Sequence, residues 1–94
     1  MKKSFLNSKI HKATVTDSQI DYEGSCEIDI ALLNAAGISV YEKIDIYNIT
    51  NGERFSTYAI EGQAESGNIC INGAACHKAN IGQSYNLYLC RFRK

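Results

Sequence analysis

The dipeptide Asn51-Gly52 constrains the fold of this chain more than any other pair of residues in it. It separates Lys43 to Thr50, rich in Ile and Tyr, from Glu53 to Ile60, which carries Phe, Thr and Tyr. Asn and Gly accept the positive φ that a two-residue type I′ turn requires, and the twist of that turn suits a pair of antiparallel strands. A β-hairpin with a type I′ tip is therefore predicted across residues 43–60. In its first arm the apolar positions run Ile44, Ile46 and then Tyr47, Ile49, a change of phase that predicts a bulge or burial on both faces.

The sequence contains no proline, so glycine and asparagine are its punctuation. A first strand is predicted within Ser4 to Thr16, where Lys9 and His11 share a face by the two-residue period. Two further strands are predicted at Asn68 to Ile71 and Ser84 to Phe92, separated by Asn72-Gly73 and the small residues Ala74, Ala75 and Cys76. Asp29, followed by Ile30 to Ala36 and then Gly37, has the form of an N-cap, two helical turns with Leu32, Leu33 and Ala36 inward, and a left-handed stop. With 94 residues there is room for one domain. The expectation is a single all-β unit with one or two short helices, a small β-barrel.

Ten basic residues balance ten acidic ones, which gives no electrostatic footprint for nucleic acid or an anionic membrane. No apolar run approaches the roughly 18 residues of a membrane span, and the opening Met-Lys-Lys-Ser-Phe-Leu leads into Asn7, Ser8 and Lys9 rather than a signal sequence. A cytoplasmic protein is expected. The four cysteines, Cys26, Cys70, Cys76 and Cys90, form no CxxC pair, so buried or idle thiols are expected and no metal site is assigned. There is no GxSxG, HExxH, GxGxxG or GxxxxGK motif.

What remains is Tyr22-Glu23-Gly24-Ser25-Cys26. Gly-Ser alone is an ordinary turn. It also has a chemical option, because a serine hydroxyl can attack the preceding carbonyl through a five-membered ring when the backbone is held strained, and glycine tolerates unusual φ and ψ there. The resulting ester can eliminate to dehydroalanine, which hydrolyses to a pyruvoyl group and ammonia.

Four runs then carry a resemblance: KIHKATVT from Lys9, YEGSC from Tyr22, NITNGERFSTYAI from Asn48 and INGAACHKANIGQ from Ile71. YEGS, NGERFSTYAI and NGAA are specific in this order and spacing, and over nearly its whole length the chain resembles the pyruvoyl-dependent aspartate α-decarboxylases. The resemblance implies a double-psi β-barrel, a homotetramer with sites between subunits, and self-cleavage between Gly24 and Ser25 into chains 1–24 and 25–94. It further implies conversion of L-aspartate to β-alanine and CO₂, for pantothenate and coenzyme A, through a Schiff base to a pyruvoyl cofactor made from Ser25. Such a carbonyl takes the electron-sink role of pyridoxal phosphate.

Residue by residue, the resemblance gives Arg54 and Lys9 to the substrate carboxylates, for which the planar guanidinium fork of Arg54 is suited. It places His11 in the lining of the same site and makes Tyr58 the proton donor after CO₂ loss. Thr57 would stabilise the oxyanion on the Gly24 carbonyl during self-cleavage. Asn72 would hydrogen-bond near the pyruvoyl group and substrate, and Gly73, Ala74 and Ala75 would let backbone approach the ligand. Arg54 and Tyr58 share a strand face while Thr57 points the other way, so serving one mechanism requires a bent strand or a site between subunits.

Three departures stand out. Cys76 replaces a usual third alanine. Cys26 follows the cleavage serine where a small or β-branched residue is more usual, and its thiol could divert or assist the acyl shift. The chain stops at Lys94 after SYNLYLCRFRK, where the family shows a very apolar strand and a further tail, so the resemblance is to a C-terminally shortened member. Two other readings stay open from the residues alone: a catalytically silent barrel acting as a binding or assembly subunit, and a cysteine-dependent metal module using Cys70, Cys76 and His77. Participation of a maturation factor in cleavage is also open.

Overall fold

The computed structural model describes residues 3–19 and 24–73 and the backbone of 86–93. Its elements follow as β1 (Phe5–Thr14), β2 (Asp17–Gln19), β3 (Ser25–Asp29), α1 (Ile30–Ala36), β4 (Lys43–Asn48), β5 (Arg54–Gly62), β6 (Ile69–Asn72) and β7 (Asn86–Arg93). The strands hydrogen-bond in the order β1-β7-β4-β5-β3-β6-β2. Only Val15 and Thr16 separate β1 from β2, so the two edges of the sheet are successive parts of one segment. The predicted all-β class with a short helix holds. Pairings are antiparallel except β2 with β6 and β3 with β5, which run parallel.

Alternation sets the core. In β4 the side chains of Ile44, Ile46 and Asn48 are buried while Lys43, Asp45 and Tyr47 are exposed or half-buried, the period of a strand covered on one face. Cys26 and Ile28 from β3, Ala59 from β5 and Ile69 and Ile71 from β6 join them, with Val15, Leu33 and Ile38 closing the cluster. Each buried Ile or Leu contributes about 1.5–3 kcal/mol. The helix is capped as its sequence predicts: Asp29 accepts from the Ala31 N–H at 2.8 Å, and Gly37 takes φ 70. Leu33 is buried, and Leu32 and Ala36 pack half-buried on the same cluster.

Two expectations about the hairpin are corrected. β4 pairs with β5 antiparallel as predicted, but the tip is a longer loop in which Asn48 N–H donates to the Glu53 carbonyl at 2.9 Å and Gly52 N–H to the Asn48 carbonyl at 2.8 Å. Gly52 has φ 77, whereas Asn51 does not enter the positive region, so the turn is not type I′. Asparagine side chains stabilise the wider loop: Asn48 Oδ1 accepts from Thr50 N–H at 3.0 Å and Asn51 Oδ1 from Glu53 N–H at 2.9 Å. Nor does β4 carry a bulge. Its register with β5 and β7 is unbroken, and the apparent change of phase arises because Asn48 takes the buried position and Ile49 belongs to the loop, 43% exposed.

The bulges lie in β1 instead, where register with β7 shifts between Leu6 and Ser8 and between Ile10 and Ala13. The second contains His11 and Lys12, with Lys12 at φ 57, and a bulge of this kind re-aims the side chains around it. Among the described residues no helix is long and apolar enough to cross a membrane.

Candidate active site

Ser25 opens β3 and pairs in register with Asn72, the last residue of β6. Directly paired residues share a face, and here the side chains meet: Asn72 Nδ2 donates to Ser25 Oγ at 3.1 Å, and Cys70 Sγ donates to Asn72 Oδ1 at 3.2 Å. Ser25 is 1% exposed and Asn72 2%. Gly73 follows at φ 71, a left-handed conformation that glycine adopts without steric cost, so the chain turns immediately after Asn72.

The parallel pairing of β3 with β5 brings a second element to Ser25. Cys26 lies opposite Ala59, so one step back along both strands sets Ser25 toward Tyr58. Alternation then sorts the side chains. Cys26, Ile28, Ala59, Ile69 and Ile71 face the apolar core, while Ser25, Tyr58, Cys70 and Asn72 share the opposite face. Thr57 points toward the core side, as its position one residue from Tyr58 predicts.

Gly24 is exposed at a bend. It does not take positive φ, and a Cβ added to it would meet nothing within 4 Å. The backbone strain anticipated at this residue is therefore not a left-handed φ, and among the described residues no contact requires glycine there.

Arg54 lies at the other end of β5. Four residues of strand separate its Cα from that of Tyr58 by about 13 Å. Arg54 pairs with Tyr47 and its guanidinium lies over that ring, 4.7 Å from the centroid. Stacking engages the flat face of the fork and leaves its in-plane N–H edge suited to a carboxylate. Lys9 and His11 are exposed on β1. Lys9 is in register, through the backbone of β7, with Asp45 and then Ser56. These residues share the outward face of the sheet with Arg54. Ala74, Ala75, Cys76 and His77, like Tyr22 and Glu23, lie outside the described residues.

Several neighbours of the site were not expected. Cys70 is two residues from Asn72 on one strand face, and that spacing is the signal from which the contact is legible. Tyr41 carries φ 71, an outlying conformation for a bulky residue, and its ring centroid is 6.4 Å from that of Tyr58. No sequence pattern announces that contact, because it depends on the loop between α1 and β4. Ser56 donates its hydroxyl to Asp45 Oδ1 across the hairpin, a pairing recoverable only once the register is known.

Cys26 is settled by its surroundings. It is fully buried on the core face, and burial first, then Cys70 and Glu27, push its thiol far above the usual range. It stays protonated at neutral pH and offers no thiolate to an adjacent ester.

Residues 1–92 match the family described as aspartate decarboxylase. The chain belongs to the aspartate decarboxylase family. It is 57% identical over 82 residues to the aspartate 1-decarboxylase of Ruthia magnifica subsp. Calyptogena magnifica, a match covering 87% of this chain and 69% of that protein. It is 51% identical over 92 residues to that of Ralstonia nicotianae, covering 98% of this chain and 75% of the relative. With that of Thioalkalivibrio sulfidiphilus the identity is 63% over 79 residues, covering 84% of this chain and 63% of the relative. In aspartate decarboxylase terms, the chain spans between about two thirds and three quarters of these relatives' length, and the matched part includes β3, β5 and β6 around Ser25.

Proposed function

We propose that this chain is a self-processing decarboxylase that converts L-aspartate to β-alanine and CO₂, using a pyruvoyl group formed from Ser25. The observation that carries the reading is the buried pair Ser25–Asn72, with an amide N–H donating to the hydroxyl oxygen at 3.1 Å at the first residue after Gly24. Membership of the aspartate decarboxylase family supports the substrate.

Processing is chemistry of the chain's own residues. Ser25 Oγ bonds to the Gly24 carbonyl carbon, the hydroxyl proton passes to the Ser25 nitrogen, and the Gly24–Ser25 C–N bond breaks to leave an ester. Loss of the Ser25 Cα proton with departure of the Gly24 carboxylate gives dehydroalanine, and addition of water with release of ammonia gives the pyruvoyl group. The Asn72 N–H stabilises charge that develops on Oγ as its proton leaves. Thr57 is assigned to the oxyanion of the Gly24 carbonyl.

The residues present fit the group: it would be covalently part of the long chain at position 25, on the first residue of β3, next to Asn72 and Tyr58. When formed, it supplies an electron-accepting carbonyl for the release of the α-carboxylate as CO₂. Tyr58 is assigned to return a proton to the substrate carbon. Arg54 and Lys9 bind carboxylate, and His11, Gly73, Ala74 and Ala75 complete the lining. Arg54 lies about 13 Å along its strand from Tyr58, Cα to Cα, with its guanidinium stacked on Tyr47. The reading has Arg54, Lys9 and His11 of one copy completing the site of another, in a homotetramer.

The denatured intact mass tests this directly. Fragments 1–24 and 25–94 are expected, the second lighter by one ammonia than a serine-terminated chain, together with aspartate-dependent release of β-alanine. A single uncleaved chain that yields no β-alanine would instead establish the silent barrel.

A further inference from the structure

The Asn72 amide is gripped from both sides. Its Oδ1 accepts from Cys70 Sγ at 3.2 Å and its Nδ2 donates to Ser25 Oγ at 3.1 Å, and the three residues are each no more than 5% exposed. We propose that Cys70 is a positioning residue for self-cleavage, its thiol holding the Asn72 amide in the orientation that keeps an N–H donor on the Ser25 hydroxyl oxygen. The inference rests on the processing reaction proposed above and assigns to it a residue that does not touch the reacting atoms.

An asparagine amide is nearly symmetric in shape, so its two ends can exchange places by rotation about the terminal bond. Ser25 alone does not choose between the two orientations, because a hydroxyl donates as readily as it accepts. In the flipped state Oδ1 would face Ser25, and the hydroxyl would satisfy it by donating its proton. That arrangement opposes the reaction, since it draws a lone pair toward Oγ at the moment negative charge grows there. The other end of the amide breaks the tie. With Oδ1 toward Cys70, the thiol donates an S–H···O bond. Flipping would exchange this for a weaker N–H···S contact, because sulfur is a poor acceptor. The bias acts in a buried setting, where hydrogen bonds are felt more strongly than in water.

The strand geometry makes the arrangement rigid. Cys70 and Asn72 lie two apart on β6, so they project from one face with a fixed separation. Residue 70 is paired with Glu27 and residue 72 with Ser25 across an unbroken antiparallel ladder. Backbone pairing therefore fixes the positions from which the two side chains project. The pull of the thiol on Oδ1 also polarises the amide and strengthens its N–H as a donor toward Oγ.

The test compares Cys70→Ala with Cys70→Ser in freshly translated full-length chain, following cleavage by intact mass and stability by thermal midpoint. Cys70→Ala is expected to cleave about 3- to 10-fold more slowly, the loss of one neutral hydrogen bond, and Cys70→Ser to stay within about 2-fold of the parent at a similar midpoint. Infrared spectroscopy of the parent chain reads the bond without relying on cleavage. The S–H stretch lost on Cys70→Ser should lie at a lowered, hydrogen-bonded frequency and rise in Asn72→Ala. Cleavage of Cys70→Ala at the parent rate, a serine variant as slow as the alanine one, or an S–H band unmoved by Asn72→Ala overturns the role of Cys70. A parent chain that never cleaves overturns the processing reading itself, and the band then still tells whether the thiol–amide bond exists.

Discussion

The two ends of one strand are prepared for different tasks. Where β5 runs beside β3, Ser25 and Asn72 are buried, joined by a 3.1 Å hydrogen bond and backed by Cys70. Where β5 begins, Arg54 is exposed and its guanidinium lies over the ring of Tyr47. The first arrangement suits a reaction of the chain upon itself, which needs a fixed distance and exclusion of water. The second suits capture of a charged molecule, which needs a cation already extended toward solvent. The contrast matches the proposed division of labour, in which one region processes the chain and the other recognises substrate.

Ser25→Ala should break the first region outright. With no hydroxyl to attack Gly24, a single uncleaved chain of 94 residues is expected, with complete loss of β-alanine formation. Persistent activity in that variant would sink the pyruvoyl mechanism.

Arg54→Ala should leave the first region intact and disable the second. Cleavage is expected at the parent rate, with kcat/KM for aspartate falling about 10- to 100-fold, the loss of a charge-assisted bidentate contact. Arg54→Lys should recover only part of this, since a point charge lacks the fork. Because the fall should appear mainly in KM, steady-state kinetics over a range of aspartate concentrations is the measurement. An unchanged KM would remove Arg54 from carboxylate recognition.

How far each region was legible follows from the range of the contacts that build it. The cap at Asp29, the helix to Ala36 and the stop at Gly37 are local, written in adjacent residues, and the structure reproduces them. The hairpin partners were also legible, but its tip was not: Asn51-Gly52 signals a tight turn, while the side-chain oxygens of Asn48 and Asn51 stabilise a wider one. The placement of Ser25 against Asn72 and beside Tyr58 depends on a parallel β3–β5 pair and an antiparallel β3–β6 pair, long-range pairings that no periodicity encodes. Resemblance named Ser25, Asn72 and Tyr58. Only the register explains why they meet, and only the structure shows that Cys70 stands behind Asn72.

Gly62→Ala probes the pairing that unites the two regions. Gly62 lies opposite Asp29, and a Cβ there would stand 3.0 Å from Ile28 C and O and 3.1 Å from Asp29 N. These are backbone atoms, so β3 and β5 must part. A loss of about 1–3 kcal/mol is expected by analogy with overpacking, read as a fall in thermal midpoint of about 4–8 °C per kcal/mol for a chain of this size. A midpoint equal to the parent's would mean that the strands separate without cost.

The smallest effect separates stability from chemistry at the two ends of β3 itself. Opposite Ser25, Asp29 accepts from Gly67 N–H at 2.9 Å, Ala31 N–H at 2.8 Å and Glu65 N–H at 3.0 Å. These bonds, that from Gly67 foremost, hold its carboxyl below the ordinary range against the opposing effect of burial. A carboxylate whose folded pKa lies below its unfolded value stabilises the fold fully above the unfolded value, about 4, and loses that contribution as pH falls through the folded one. The parent's thermal midpoint should therefore decline from about pH 4 downward, and Asp29→Asn should flatten that decline while lowering the midpoint at neutral pH by a few degrees. Parallel profiles for the two proteins would mean that Asp29 is not the titrating group. The cleavage rate of Asp29→Asn at neutral pH adds the decisive comparison. If β3 positions Ser25 only through its own pairings with β6 and β5, the variant cleaves at the parent rate despite its weaker fold. A slowed reaction would mean that the cap at one end of this strand sets the geometry of the hydroxyl at the other.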